Sequence, residues 1–399
     1  MSVLFMGSMK PLAALIGLLV ISGSANAITV YNDKGTKVDL TGELRMKATV
    51  TSDDRDIRIK DDGSRIGVNA NHELTKDIKV FGRMEWGSDT QKSNSENNKT
   101  SFEMYNRVGY IGASHRDVGE VRVGRTYIPI DWVKKSSYGY GNTGVFYFGD
   151  VLSSSTGYSK NGVGRNNFLT RLPQTIFFQT NSYKGFHLAA TYSGKSGSDN
   201  ERNHGDIRNA YSVVGFYKSD FGLVANAGYS QATGENSKSD GSTEKSIVDA
   251  GLASPKDSLL AFGVEYYFPG REFSIGLDYG LARSENSGLV YQEGSDTKLQ
   301  SKSVKGDWKA NLYGLGVKWH WDKIGSGMYA GYYLRDGDAN TFNYQKQTYT
   351  VGLDKRFAVS KSNNLILFVE MAYDDARSDN PVYKDKKQTI LGTGARLSF

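Results

Sequence analysis

After residue 27 the chain repeats one unit: about ten residues alternating between apolar and polar side chains, then a turn or a hydrophilic stretch. The alternation is cleanest in Asn364–Tyr373 (NLILFVEMAY) and Gln388–Phe399 (QTILGTGARLSF). It recurs in Asp257–Phe268, Phe273–Arg283, Trp308–Trp321 and Gly327–Arg335. In the final segment Leu391, Ala395, Leu397 and Phe399 share one parity, and Gly392, Gly394, Arg396 and Ser398 share the other. Successive side chains of a strand point to opposite faces, so period two predicts strands with one apolar and one polar face. Sixteen such strands are expected, starting near Lys37, Arg65, Ile78, Phe102, Gly119, Arg171, Phe186, Arg208, Leu223, Ser258, Phe273, Lys309, Met328, Gln347, Asn364 and Lys387. That leaves roughly 23 residues for each strand with its connection, which suits strands of ~9–11 residues crossing a bilayer at a tilt.

The connections alternate in length. Thr75-Lys76-Asp77, Lys218–Gly222 and Lys323–Gly327 read as short turns, whereas Gly87–Ser101, Gly194–Asp206, Ala232–Ala253 and Ser284–Asp307 read as long hydrophilic loops. In hydrocarbon every backbone N–H and C=O must be paired, so strands span only as a closed barrel. The predicted fold is therefore all-β: one 16-stranded antiparallel transmembrane β-barrel, wide enough inside for water. Aromatic clusters at strand ends such as Tyr266-Tyr267-Phe268 and Tyr332-Tyr333 are expected in interfacial girdles. The alternative, a soluble sandwich, would not need a polar face on nearly every strand.

Composition agrees. The 399 residues hold 46 glycines, 25 tyrosines and 18 phenylalanines against 6 prolines, a bias toward strands and tight turns. No cysteine is present, which excludes disulfides, thiolate nucleophiles and cysteine-based metal sites. The net charge of +6 is too small and too dispersed to argue for nucleic acid. Residues 1–27 read as an export signal: Lys10 as the positive region, Pro11–Ile21 as the apolar region, Ala25-Asn26-Ala27 as the cleavage site. Met9 is an alternative start to Met1, and residues 28–399 are expected to form the barrel.

Several segments resemble a known family. Ile28–Leu40 (ITVYNDKGTKVDL), Ser64–Val68 (SRIGV), Arg107–Gly112 (RVGYIG), Gly119–Tyr127 (GEVRVGRTY), Phe146–Asp150 (FYFGD) and the terminal Phe399 resemble the trimeric general porins of Gram-negative outer membranes. The later strands, with Lys355-Arg356 and Glu370, look closer to porins of the Haemophilus and Pasteurella group. The resemblance implies a third loop folded into the barrel, facing a ladder of arginines, and by position the ladder falls on Arg65, Arg107 and Arg171. Ile66 and Val68 are expected to flank Arg65 outward, and Val108 and Tyr110 to do the same for Arg107. Glu43, Arg45 and Lys47 share the inward parity of the first strand and are expected to line the lumen.

The third loop is expected over Ile128–Thr170, and here the chain departs from the family pattern. Between Trp132 and Thr170 it carries one acid, Asp150, beside Lys134, Lys135, Lys160 and Arg165, with Asn142 and Phe146 roughly where acids are expected. An anion-leaning pore follows, with Asp150 as the acid of the constriction. The resemblance further implies a homotrimer latched by Gly87–Ser101, with Arg125 as a subunit contact and Phe399 as an assembly signal. The expected partners are outer-membrane lipid and lipopolysaccharide, small hydrophilic solutes and ions, with no nucleic acid and no cofactor.

Other motifs carry little. Gly139–Gly144 matches G-x-G-x-x-G without a βαβ context, and the five histidines have no metal-ligand spacing. The pair Ser114-His115 lacks an evident third member of a triad. Catalysis is not expected, and a channel selective for oligosaccharides or an anionic solute is the second reading.

Overall fold

The computed structural model describes residues 27–89, 93–94, 99–100, 103–140, 169–195, 207–234, 256–293, 300–339, 342–359, 364–379 and 385–399. The expected export signal up to Asn26 lies outside the described residues, as do Asn142, Phe146 and Asp150 of the third loop.

Sixteen strands form the wall: β1 Thr36–Thr51, β2 Arg65–Glu73, β3 Ile78–Asp89, β4 Glu103–His115, β5 Gly119–Tyr127, β6 Arg171–Thr180, β7 Phe186–Ser193 and β8 Ile207–Lys218. The second half comprises β9 Leu223–Gly234, β10 Lys256–Tyr267, β11 Phe273–Glu293, β12 Gln300–Trp321, β13 Ser326–Ala339, β14 Phe342–Ala358, β15 Asn364–Ser378 and β16 Lys386–Ser398. Each pairs antiparallel with its successor, and β16 returns to β1 from Glu43↔Ser398 to Thr51↔Ile390, so the sheet closes. Closure removes the unpaired edge that hydrocarbon would not tolerate. The seam is fixed at Phe399, whose backbone exchanges hydrogen bonds with Gly42 at 2.8 and 3.0 Å. Its ring occupies the space a Cβ on Gly42 would need. The segment Ile28–Asp33 pairs with Thr36–Leu40 on the edge of β1 that β16 uses farther along, and so completes the same wall position.

The predicted starts match closely, with two corrections. The strands expected from Lys309 and Gln347 begin at Gln300 and Phe342. Much of the stretch Ser284–Asp307, read as a loop, is a two-stranded extension of β11 and β12 running from Ser287↔Gly306 to Glu293↔Gln300. The stretch reads as a loop because it lacks the period-two alternation that marks a strand with one apolar face.

The outer face carries exposed Leu44, Ile111, Val123, Val213, Leu277 and Leu353, an apolar band that suits lipid. The girdle expectation holds for part of each aromatic cluster. Tyr332 meets Tyr349 on the outside, but Tyr267 and Tyr333, one residue on, point inward to Glu265 and to the Ser136 carbonyl. Adjacent strand residues cannot share a face. The interior is not uniformly polar either. Inward Phe177, Val214, Phe216 and Leu312 form a buried cluster with Ile128, Ile130 and Val133, which open the third loop through a 3-10 turn at Pro129–Trp132.

Candidate functional site

The cations of β1–β6 and β16 line one inner wall, built around shared carboxylates. Glu43 bridges Arg45 at 2.7 Å and Arg65 at 2.8 Å. Glu85, almost fully buried, bridges Arg83 at 2.6 Å and Arg107 at 2.9 Å. Asp62, from the first long loop, bridges Lys47 at 2.5 Å and Arg396 at 3.0 Å. Arg122 pairs with Glu120 and lies over the Phe177 and Tyr110 rings. Arg65 pairs across the sheet with Gly87, and the Arg107 side chain occupies the space above that glycine, so the two guanidinium-bearing residues are neighbours. A Cβ at position 87 would overlap both Arg107 Cδ and the Tyr105 ring, so the glycine leaves room for these two side chains. Arg171 lies over the Tyr127 ring, whose hydroxyl donates to Glu85 at 3.3 Å. Arg125 donates Nε–H to the Arg107 carbonyl at 3.1 Å and feels the charges of Arg171 and Arg107.

Arg65, Arg107 and Arg171 thus lie in one contiguous row, with Glu43, Arg45 and Lys47 beside them on β1. The residues flanking Arg107 do not point outward as expected. Val108 is fully buried and pairs with inward Glu85, and Tyr110 meets Arg122 inside the barrel; neither faces outward. A bulge against Glu85/Trp86 places Arg107 between Asn106 and Val108 without its own cross-strand partner. Two adjacent side chains therefore point inward, as a bulge permits. Arg125, expected at a subunit contact, belongs to the same arginine cluster. Glu85, Asp62, Arg83, Arg122 and Arg396 were not anticipated, although Arg83 and Glu85 share an inward parity legible in the sequence.

Across the lumen, the described start of the third loop lies flat on β9–β16. The eight steps between the nine residues from Trp132 to Tyr140, at ~3.3 Å each, come close to the six interstrand gaps from β9 to β15 at ~4.8 Å. Buried carboxylates hold it. Asp278 accepts from Lys135 N at 2.6 Å, Ser136 N at 2.8 Å and Ser136 Oγ at 2.5 Å. Glu265 accepts from the Tyr138 hydroxyl at 2.8 Å, and Glu370 accepts from Tyr140 N and the Tyr329 hydroxyl. Gly263, Gly276 and Gly316 let the loop backbone approach, since a Cβ at any of them would overlap the carbonyl of Val133, Lys135 or Ser136. Arg396 donates to the Tyr140 carbonyl and so ties this wall to the arginine wall. Burial holds the Lys135 ammonium below the ordinary lysine range.

A barrel with an inner arginine wall and a loop pressed on the facing wall can be compared with known proteins. The family described as Gram-negative porin matches residues 12–379. The chain belongs to that porin family. It forms an outer-membrane channel, with the short turns of such barrels toward the periplasm. The porin is 26% identical to a major outer membrane protein of Pasteurella multocida over 376 residues, covering 87% of this chain and 99% of the relative. Among solved structures it is similar to an anion-selective porin from Comamonas acidovorans, with TM-score 0.66 and 17% identity over 91% of this chain and all of that one. It is likewise similar to the outer membrane protein OmpT of Vibrio cholerae in its trimer form, with TM-score 0.63 and 19% identity over 92% of this chain and 100% of that one. Among the described residues of this porin no group of three His, Cys, Asp or Glu side chains is placed to hold a metal.

Proposed function

We propose that this porin passes ions and small hydrophilic solutes by diffusion and favours anions. The observation that carries the reading is charge on the arginine wall. Arg45, Lys47, Arg65, Arg83, Arg107, Arg122, Arg125, Arg171 and Arg396 stand against Glu43, Asp62, Glu85 and Glu120. Three of the four carboxylates are each shared by two cations, and Arg125 and Arg171 have no carboxylate within ion-pair distance among the described residues. Arginine keeps its charge at any working pH, so the wall holds a fixed positive field, strongest where the pore narrows. Loops beyond a Debye length of ~8 Å contribute little at physiological salt. Between Trp132 and Thr170 the facing third loop carries one acid, Asp150, and Asp131 at its start is paired with Lys134, too little to balance the wall. Replacing Arg65, Arg107 and Arg171 together by Ala should raise conductance and shift reversal potentials toward cations; unchanged potentials would remove these side chains from the constriction.

The reading assigns transport and no catalytic residue. It extends to a homotrimer in which Gly87–Ser101 latches a neighbour near Arg125, in contact with lipid and lipopolysaccharide. Cross-linking cysteines at positions 92 and 125 should give linked trimers, and monomers alone would refute the latch. Cleavage after Ala27 is supported by strand pairing that begins at Ile28, and N-terminal sequencing of the exported protein tests it. Phe399 is assigned to assembly because it closes the barrel seam over Gly42. Its deletion should reduce outer-membrane yield severalfold, whereas normal yield would count against the assignment.

A further inference from the structure

A second set of cations lies away from the arginine wall. Between the loop segment Lys134–Tyr138 and the periplasmic ends of β10–β12 and β14 is a cavity of about 340 Å³. Its lining carries Lys134, Lys135, Arg271, Lys318 and Arg356 against Glu265 and Glu272. Most of these charges are already engaged. Lys134 pairs with Asp131 at 3.2 Å, and Arg356 meets Asp354 at 3.4 Å while donating to the Tyr140 hydroxyl at 2.8 Å. Glu265 accepts a phenol hydroxyl on each oxygen, from Tyr138 and Tyr267, both at 2.8 Å. Arg271 and Glu272 are sequence neighbours on the turn between β10 and β11 and contribute one charge of each sign to the lining. Lys135 and Lys318 remain, with no carboxylate within 4.0 Å among the described residues; the Lys318 ammonium stands 5.8 Å from the Tyr138 ring centre.

We propose that this cavity is a binding station for phosphorylated small polyols, such as hexose phosphates. Glu265, Asp278 and Asp354 act on these two half-buried ammoniums only from beyond ion-pair contact, and a group with two negative charges on one centre would contact both. The Arg356 guanidinium beside them adds planar donors suited to phosphate oxygens. Size decides between a bare ion and an ester, since inorganic phosphate would leave most of the cavity empty. The remaining lining, with the Tyr138 and Tyr267 rings and the Ser137 and Ser274 hydroxyls, offers faces and hydrogen bonds to a polyol. The station stands apart from the anion preference proposed above and does not require it.

Single-channel recording in planar bilayers tests this, with glucose phosphate, glucose, inorganic phosphate or succinate added on the periplasmic side. Glucose phosphate should produce resolved current interruptions, glucose alone should not, and inorganic phosphate should compete. Lys318→Met and Lys135→Met should each raise the half-blocking concentration about tenfold. Their open-channel currents verify that both variants still fold. Arg171→Ala should alter ion selectivity but leave the interruptions in place. The proposal is overturned if both lysine variants block like the native protein or if glucose alone blocks equally. It is also overturned if succinate matches glucose phosphate, or if interruptions disappear only in Arg171→Ala, which would put the solute at the arginine wall. Potassium preference with lysine-dependent interruptions would refute the anion reading and leave the station standing.

Discussion

On the two sides of the lumen the same kind of residue, an inward carboxylate on a strand, does different work. On the arginine wall Glu43 and Glu85 are held between guanidinium groups and act as charge spacers that keep like charges in a row. On the facing wall Asp278, Glu265 and Glu370 have hydroxyls and backbone N–H groups of the third loop as partners, and act as clamps. What separates the two roles is the company each acid keeps. Glu43 faces Arg65 on the next strand and Glu85 has the bulged Arg107 beside it, so both are neutralised along the wall. Where a glycine stands opposite and no arginine reaches the acid, as with Gly276 opposite Glu265, the loop backbone can descend and use the acid as its acceptor. One wall is organised for field and the other for position.

The largest effect should come from filling the clamp wall. Gly316→Val would put side-chain atoms into the Ser136 carbonyl, a backbone group that cannot swing aside, at a cost of ~3 kcal/mol or more. The third loop should then leave the wall, and conductance should rise with little change in the unfolding of the barrel itself. A normal conductance would mean that the loop is held elsewhere. Next in size is Asp278→Ala, which strands two backbone N–H groups and a hydroxyl in a buried place, at roughly 2 kcal/mol. Thermal unfolding followed by circular dichroism should show the loss, and Asp278→Asn should recover part of it by keeping one acceptor oxygen. Equal melting of both variants would argue that charge, not acceptor geometry, sets the clamp.

Smaller and purely electrical changes are expected on the other wall. Arg171→Ala removes a cation with no carboxylate partner among the described residues and should lower the chloride-to-potassium permeability ratio about twofold. Arg107→Ala should lower it further, because it also releases one side of Glu85 to the lumen. Identical shifts would show that Glu85 stays neutralised by Arg83 alone. Both effects should fade near 1 M salt, where the Debye length is ~3 Å.

Much of this was legible in the chain. The strand starts at Arg65, Ile78, Gly119, Arg171 and Asn364 could be read from period two because each strand has lipid on one side. The arginine row was readable from parity at Arg65, yet at Arg107 the right orientation came from a bulge that parity cannot see. The clamps were not legible. Asp278 meets Ser136 across 142 residues of sequence, and nothing local distinguishes its inward carboxylate from one that lines open water. Gly276 and Gly316 give the same ambiguity, since an inward glycine widens a lumen or seats a loop depending on what lies above it.

The central claim is that the unbalanced cations of the arginine wall govern which ions cross. Reversal potential in a tenfold KCl gradient at low ionic strength measures this directly on the native protein. The account predicts that chloride crosses at least as readily as potassium, with the preference shrinking as salt is raised. A clear potassium preference at low salt would contradict it, and would mean that carboxylates outweigh the guanidinium row where the pore is narrowest.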